Sequence, residues 1–351
     1  AAAMRQMGRK YASGRDVEED DAEAAKWYQK AAEAGDVEAQ YLLALCYEDG
    51  IGVPEDAEAA VKWYRAAAGQ GHVMAQCNLG SCYSHGDGVE ADAAEAVKWF
   101  RAAAEQGDSL AQYNLGACYD DGEGVDEDPA EAAKWFRLAA AQGHTSARYF
   151  LGLFHKMGRG VERNTKEAAK WFKQAAEAGH AWAASCYGLA LVMGEGVKLD
   201  VPEAVKWFRV AAGKGIAPAC FNLAFSYENG YGVQQDAAEA AKWYLAAAEQ
   251  GHIDAQYRYA RCLRSGNGVP KDDKEAYKWF LIAAERGLVE AQYYVAACYR
   301  AGRGVGKDPV EAYKWYRKAA EGGYVKAFDY VGAAYDWGVG VEEDAGEAVR
   351  W

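Results

Sequence analysis

Apolar positions along this chain repeat with a fixed period of 36 residues. Trp stands at Trp27, Trp63, Trp99, Trp135, Trp171, Trp207, Trp243, Trp279, Trp315 and Trp351, with no insertion between any two. Within one period, residues 36–71, a first apolar stripe runs through Ala39, Leu43, Ala44 and Tyr47. A second runs through Ala60, Trp63, Tyr64, Ala67 and Ala68. Spacings of three and four place each stripe on one face of a helix. Polar and glycine positions punctuate the stripes. Asp36 and Asp56 precede them as N-caps, where a carboxylate takes up orphan N–H groups. Gly50 and Gly71 follow them, as residues that tolerate a left-handed helix end. The predicted unit is a helical hairpin, with Trp63 on the inner face of the second helix and Val53 plugging the loop.

The columns of the repeat show what every copy needs. The first loop position is Gly in all ten copies, from Gly14 to Gly338, and the loop Val is present in all ten, from Val17 to Val341. The second loop position departs from Gly only at Asp16. Asp precedes the second helix in nine copies, with Asn164 in the tenth. Glu follows three residues later in nine, as in Asp92/Glu95 and Asp308/Glu311, which predicts a capping box. Pro54 and Pro270 fall in loops, and Pro129, Pro202, Pro218 and Pro309 in first helical turns, where a missing N–H costs nothing.

One hairpin cannot bury its apolar face, but a stack of hairpins can. The expectation is therefore a single all-α array over 1–351. It has a partial repeat 1–35, repeats 36–71, 72–107, 108–143, 144–179, 180–215, 216–251, 252–287 and 288–323, and a partial repeat 324–351. No polar capping repeat is evident at either end, so the chain reads as part of a longer array. The longest apolar stretch, Ala181 to Met193, has 13 residues, short of the ~20 needed for a bilayer span, so direct membrane insertion is not expected. A net charge of −13 argues against nucleic acid, which needs a basic stripe. That charge is uneven. Residues 1–144 hold 12 Lys+Arg against 27 Asp+Glu, a net of −15, so the first four repeats either are simply well solvated or favour a basic partner.

The segments AQYNLGACYDDGEGV (111–125) and DPAEAAKWFRLAAAQG (128–143) carry a family resemblance, and their columns recur in nearly every copy. The chain resembles the Sel-one-like repeat (SLR) family, a relative of the tetratricopeptide repeat. The resemblance covers essentially all of it. It implies a right-handed superhelical solenoid of about ten helix-turn-helix repeats, with first helices lining the concave side. It also implies scaffold or adaptor roles in protein complexes, hence a protein or peptide partner. Some secreted members carry a disulfide in each repeat. Here five of the eight Cys share a first-helix column (Cys46, Cys82, Cys118, Cys262, Cys298), and no second helix supplies a mate. Reduced thiols of this kind, with no glycosylation acceptor in the chain, favour a cytoplasmic setting, with an organellar lumen or secretion as the alternatives.

Chemistry has little foothold. No CxxC or Cys/His spacing suits a metal. His72, His144, His180 and His252 are helix-start residues of separate repeats. The GxGV loops follow helices rather than strands, so they read as turns and not as a nucleotide fingerprint. The acidic loop from Asp120 to Asp128 lacks the residue order of a calcium loop, and neither GxSxG nor SxxK occurs. The chain is expected to be no enzyme and to take no cofactor or metal. A hydrolase with an unrecognised acid/base set and a purely structural array element are the alternatives.

If the recurring columns build the scaffold, specificity lies in those that vary. On the first helix these are the positions of Glu38, Leu42, Leu45 and Asp49, spaced to form one face. Down the array that face becomes apolar at Phe150, Leu153, Met157, Trp182, Leu189, Met193 and Phe225, and Arg258 and Arg261 follow. The two Trp outside the ladder, Trp182 and Trp337, both lie on it. Aromatic and Met anchors beside Arg make up interface hot spots. Two readings stand: a concave groove for a partner's peptide or helix, or packing between neighbouring repeats. Asn78, Asn114 and Asn222 carry the same pair of readings. In related peptide-binding solenoids the equivalent Asn holds a ligand's backbone amides. The bland alternative is a hydrogen bond to the next repeat.

Overall fold

The computed structural model describes residues 1–351 and contains helices only, twenty of them, in consecutive packed pairs. It forms two compact units. Ala1–Ala178 holds the helices from Ala2–Ser13 to Thr165–Glu177, and Gly179–Trp351 holds those from Ala181–Met193 to Ala345–Arg350. Within each unit every helix packs on the one before and the one after it, the nearest-neighbour pattern of a solenoid.

The caps form where the polar punctuation predicts them. Asp36 Oδ1 accepts from Ala39 N at 2.9 Å, and Asp56 Oδ1 from Ala59 N at 3.0 Å. Asn164 substitutes for Asp by accepting from Lys166 N and Glu167 N, both at 3.1 Å. The reciprocal half of the expected capping box is absent for a structural reason. The Asp92 N–H is already taken by Tyr83 O at 2.9 Å, and Asp128 N by Tyr119 O at 2.8 Å, tying each loop back to its first helix. The Glu three residues on turns outward instead. Glu203 pairs with Lys206 Nζ at 2.8 Å and accepts from the ladder indole Trp207 Nε1 at 3.1 Å; Glu239 does the same with Lys242 and Trp243.

The two loop glycines have different duties. Gly122 ends its helix at φ 71° with its N–H donated to Cys118 O, and a Cβ there would meet nothing nearer than Glu127 Cβ at 3.4 Å. Gly124, also at φ 71°, lies against the start of the preceding second helix, where a Cβ would fall 2.1 Å from Ala93 O. The second glycine is thus where one hairpin's loop seats on its neighbour. Asp16, the one departure, takes φ 66° without such a neighbour among the described residues.

The core is built from Ala pairs, first-helix Leu/Val, and the aromatic residue after each ladder Trp. Tyr64, Phe136, Phe280 and Tyr244 are fully buried. The ladder Trp themselves are only half-buried, so Trp63 covers the core edge while Tyr64 occupies its centre. In the first unit a buried glutamine chain adds polar register. Gln40 Nε2 donates to Ala32 O at 3.3 Å and its carbonyl accepts from Gln70 at 2.8 Å, and Gln76/Gln106 and Gln112/Gln142 repeat the arrangement.

Candidate interaction face

In the first unit the varying face begins polar. Glu38 pairs with Arg9 at 2.8 Å and meets His72 Nε2 at 3.2 Å. Asn78 makes the inter-repeat contact: its Nδ2 donates to the Tyr64 hydroxyl at 3.0 Å, and that hydroxyl donates to Glu48. Burial, then Glu48, pushes the Tyr64 phenol well above its usual range, which keeps it a donor. Asn114 is half-buried in the same column. Farther on, Phe150 stacks on Phe136 of the preceding repeat at 5.3 Å and tilts against Tyr113 at 5.9 Å. Its ring belongs largely to the packing between repeats. Leu153 beside it is half-buried, while Met157 at the helix end is 62% exposed.

In the second unit the helix Ala181–Met193 carries no charged side chain. One face is buried through Ala183, Ala184, Tyr187 and Leu191, leaving Trp182 48% and Met193 64% exposed at opposite ends with half-buried Leu189 between them. Asn222 is half-buried on Ala217–Asn229. On the same helix Phe225 is framed by Phe221 at 6.4 Å and Tyr231 at 5.9 Å, with the Arg258 guanidinium 5.1 Å from its centroid. Arg258 is held in place by Glu228 at 2.8 Å, which also accepts from the Tyr244 hydroxyl at 2.5 Å. Arg261 is exposed over Tyr257 at 5.8 Å, and Arg264 lies over Tyr294 at 4.3 Å. The three arginines and Glu228 line a polar cleft of about 110 Å³. The structure therefore joins Phe225 and Arg258 in one cluster, and leaves Trp182 and Met193 as exposed apolar side chains.

Four of the six histidines prove to be caps. Nδ1 of His72, His144 and His180 accepts from Ala75, Ala147 and Ala183 N at 3.2 Å, and His252 from Ala255 N at 3.3 Å. His144 and His252 also stack on Tyr113 and Phe221, each at 4.6 Å. Burial lowers the pKa of His144, His180 and His252. Position after a closing Gly was the available signal, since Asp36 and Asp108 hold the same place.

The Sel1 repeat family profile matches ten consecutive stretches, from 1–36 through 183–216 to 330–351. The chain belongs to the Sel1 repeat family. Two solved structures bear on this Sel1-repeat array. One is c5321, described as a protective antigen present in uropathogenic Escherichia coli strains and displaying an SLR fold. It is 34% identical with a TM-score of 0.79, covering 99% of this chain and 82% of its own. The other is a Sel1 repeat protein from Oxalobacter formigenes, 32% identical with a TM-score of 0.66, over 84% of this chain and 86% of its own. No curated protein sequence matches the chain. Sel1-repeat proteins are generally protein-interaction scaffolds, and their solenoid fold is typically non-enzymatic. No helix of this array is long and apolar enough to cross a membrane.

Proposed function

We propose that this array is a scaffold that binds a peptide or helix of a partner protein on the varying face of its first helices. In the second unit the anchors are Trp182, Leu189 and Met193, with Phe225, Arg258 and Arg261 as an aromatic and cationic rim. In the first unit Leu153 and Met157 offer the same chemistry. The observation that carries the reading is the charge-free helix Ala181–Met193, which leaves an indole and a thioether in solvent at its two ends. An apolar patch of this kind is a cost to a monomer unless something covers it. The arginine-over-aromatic pairs beside it present fixed donors to a partner's carboxylates or carbonyls.

Trp182→Ala is the direct test. Because Trp182 is half in solvent, the substitution leaves the melting temperature nearly unchanged. Loss of an aromatic anchor weakens partner capture by about 2 kcal/mol, roughly thirtyfold. Phe225→Ala serves as the contrasting variant, since its ring also packs inside the unit and its loss lowers both stability and capture. Capture by Trp182→Ala equal to wild type would refute the assignment.

A further inference from the structure

The aromatic residue after the ladder Trp is Tyr in four repeats, at Tyr28, Tyr64, Tyr244 and Tyr316, each buried. Two of these hydroxyls have a carboxylate partner from the first helix of their own hairpin: Glu48 for Tyr64, and Glu228 for Tyr244 at 2.5 Å. At Tyr28 the residue in the Glu48 and Glu228 position is Ala12, and at Tyr316 it is Arg300. Tyr316 is 3% exposed, yet its hydroxyl has no hydrogen-bond partner. The Asn78 position is taken by Tyr330, whose ring stacks on Tyr316 at 4.5 Å and 8°, with the Arg300 guanidinium 4.4 Å from the Tyr330 centroid. Around this group opens a cavity of about 390 Å³, walled by Tyr313, Tyr316, Tyr330 and the 74% exposed Trp337. Arg300, Lys307 and Asp329 supply its charges.

We propose that this cavity binds a small monocarboxylate carried on an aromatic or other apolar body. The ligand's carboxylate accepts from the Tyr316 hydroxyl and pairs with Arg300, taking the place that Glu48 and Glu228 fill beside the equivalent tyrosines. Three observations converge. A buried hydroxyl without a partner is costly and calls for an acceptor. The side chain that supplies that acceptor in two sister repeats is here one of opposite charge, so an anionic acceptor from outside meets a cation on the cavity wall. The remaining wall is aromatic, and its volume is that of a small-molecule pocket. The Tyr316 hydroxyl is shielded from solvent, so the acid gains access as the exposed Arg300 turns from Tyr330 toward it. Tyr330 and Trp337 belong to the varying face, but the site lies on other helices than Trp182, Leu189, Met193, Phe225, Arg258 and Arg261 and does not rest on partner binding there.

The test is calorimetric titration of the 351-residue chain with 3-phenylpropionate and with 3-phenylpropionamide. The acid binds one to one, and the amide binds about tenfold more weakly or worse, having lost the charge-assisted pair. Tyr316→Phe weakens the acid by about tenfold without loss of fold, because Phe already stands in this column at Phe100, Phe136, Phe172, Phe208 and Phe280. Arg300→Glu rebuilds the internal partner, abolishes binding and raises the melting temperature. No saturable binding at millimolar acid, equal binding of acid and amide, or unchanged binding by Tyr316→Phe would overturn the proposal. Tighter binding by a peptide with a free C-terminal Phe than by 3-phenylpropionate would overturn the assignment to a small molecule.

Discussion

Replacing Gly124 by Ala should cost more than replacing Gly122, although the two residues share a loop and the same φ of 71°. At Gly122 a Cβ has only Glu127 Cβ nearby, at 3.4 Å, an ordinary contact. The penalty there is the left-handed backbone alone, about 1–2 kcal/mol. At Gly124 the Cβ would stand 2.1 Å from Ala93 O, 2.3 Å from Ala93 C and 2.8 Å from Ala94 N. These are backbone atoms at the capped start of Ala93–Glu105, so no side chain can turn aside. The loop must lift by more than ~1 Å to restore van der Waals contact, which adds the ~1–3 kcal/mol typical of overpacking. Gly124→Ala should therefore lose about 2–5 kcal/mol and Gly122→Ala about 1–2. Urea unfolding of both variants, followed by far-UV circular dichroism, measures the difference. Equal losses would show that the second loop glycine serves conformation only, and would refute its assignment as the seat of one hairpin on the next.

Three further outcomes follow from the same structure. His144, His180 and His252 have lowered pKa values because they cap as buried, neutral acceptors. The unfolded chain thus binds protons first, so stability is full above pH ~6.5, falls as pH drops below it, and levels off under the folded-state values. His144→Asp, which imports the cap found at Asp108, should flatten that fall in pH-dependent melts; an unchanged slope would count against the capping account. Glu48→Ala leaves the Tyr64 hydroxyl without its acceptor and should cost about 1–3 kcal/mol, part of which Tyr64→Phe in the same chain restores; additive losses would show that the pair is not coupled. Burial pushes the Cys46, Cys82, Cys262 and Cys298 thiols up to about 11. Iodoacetamide at pH 7.5 should therefore label them only after unfolding, and rapid native labelling would contradict their burial.

Hairpins, caps and stacking were legible because each rests on local pattern: the 36-residue period, Asp before a stripe, Gly after it. What stayed hidden depends on which side chain reaches a given atom first. The capping box reads as reciprocal in Asp128/Glu131, yet the Asp128 N–H goes to Tyr119 O across the loop. Trp63 and Tyr64 are equally apolar in sequence, but only the packing of the next hairpin decides that Tyr64 lies deeper. The varying face reads as a column in the sequence, while the fate of its members is not fixed by the column. Asn78 turns to Tyr64 and Phe150 to Phe136, whereas Trp182 and Met193, with the same spacing, remain open. The orphaned Tyr316 hydroxyl shows in sequence only when Arg300 is compared with Glu48 and Glu228.

Site-specific photo-crosslinking tests the central claim most directly. A benzophenone side chain is placed at Trp182, at Met193, or at Lys206 on a second helix of the same unit, and adducts formed in cell extract are identified by mass spectrometry. A scaffold that binds through the varying face yields one shared partner protein from positions 182 and 193 and none from 206. Equal adducts from all three positions, or none from 182 and 193, would contradict the account.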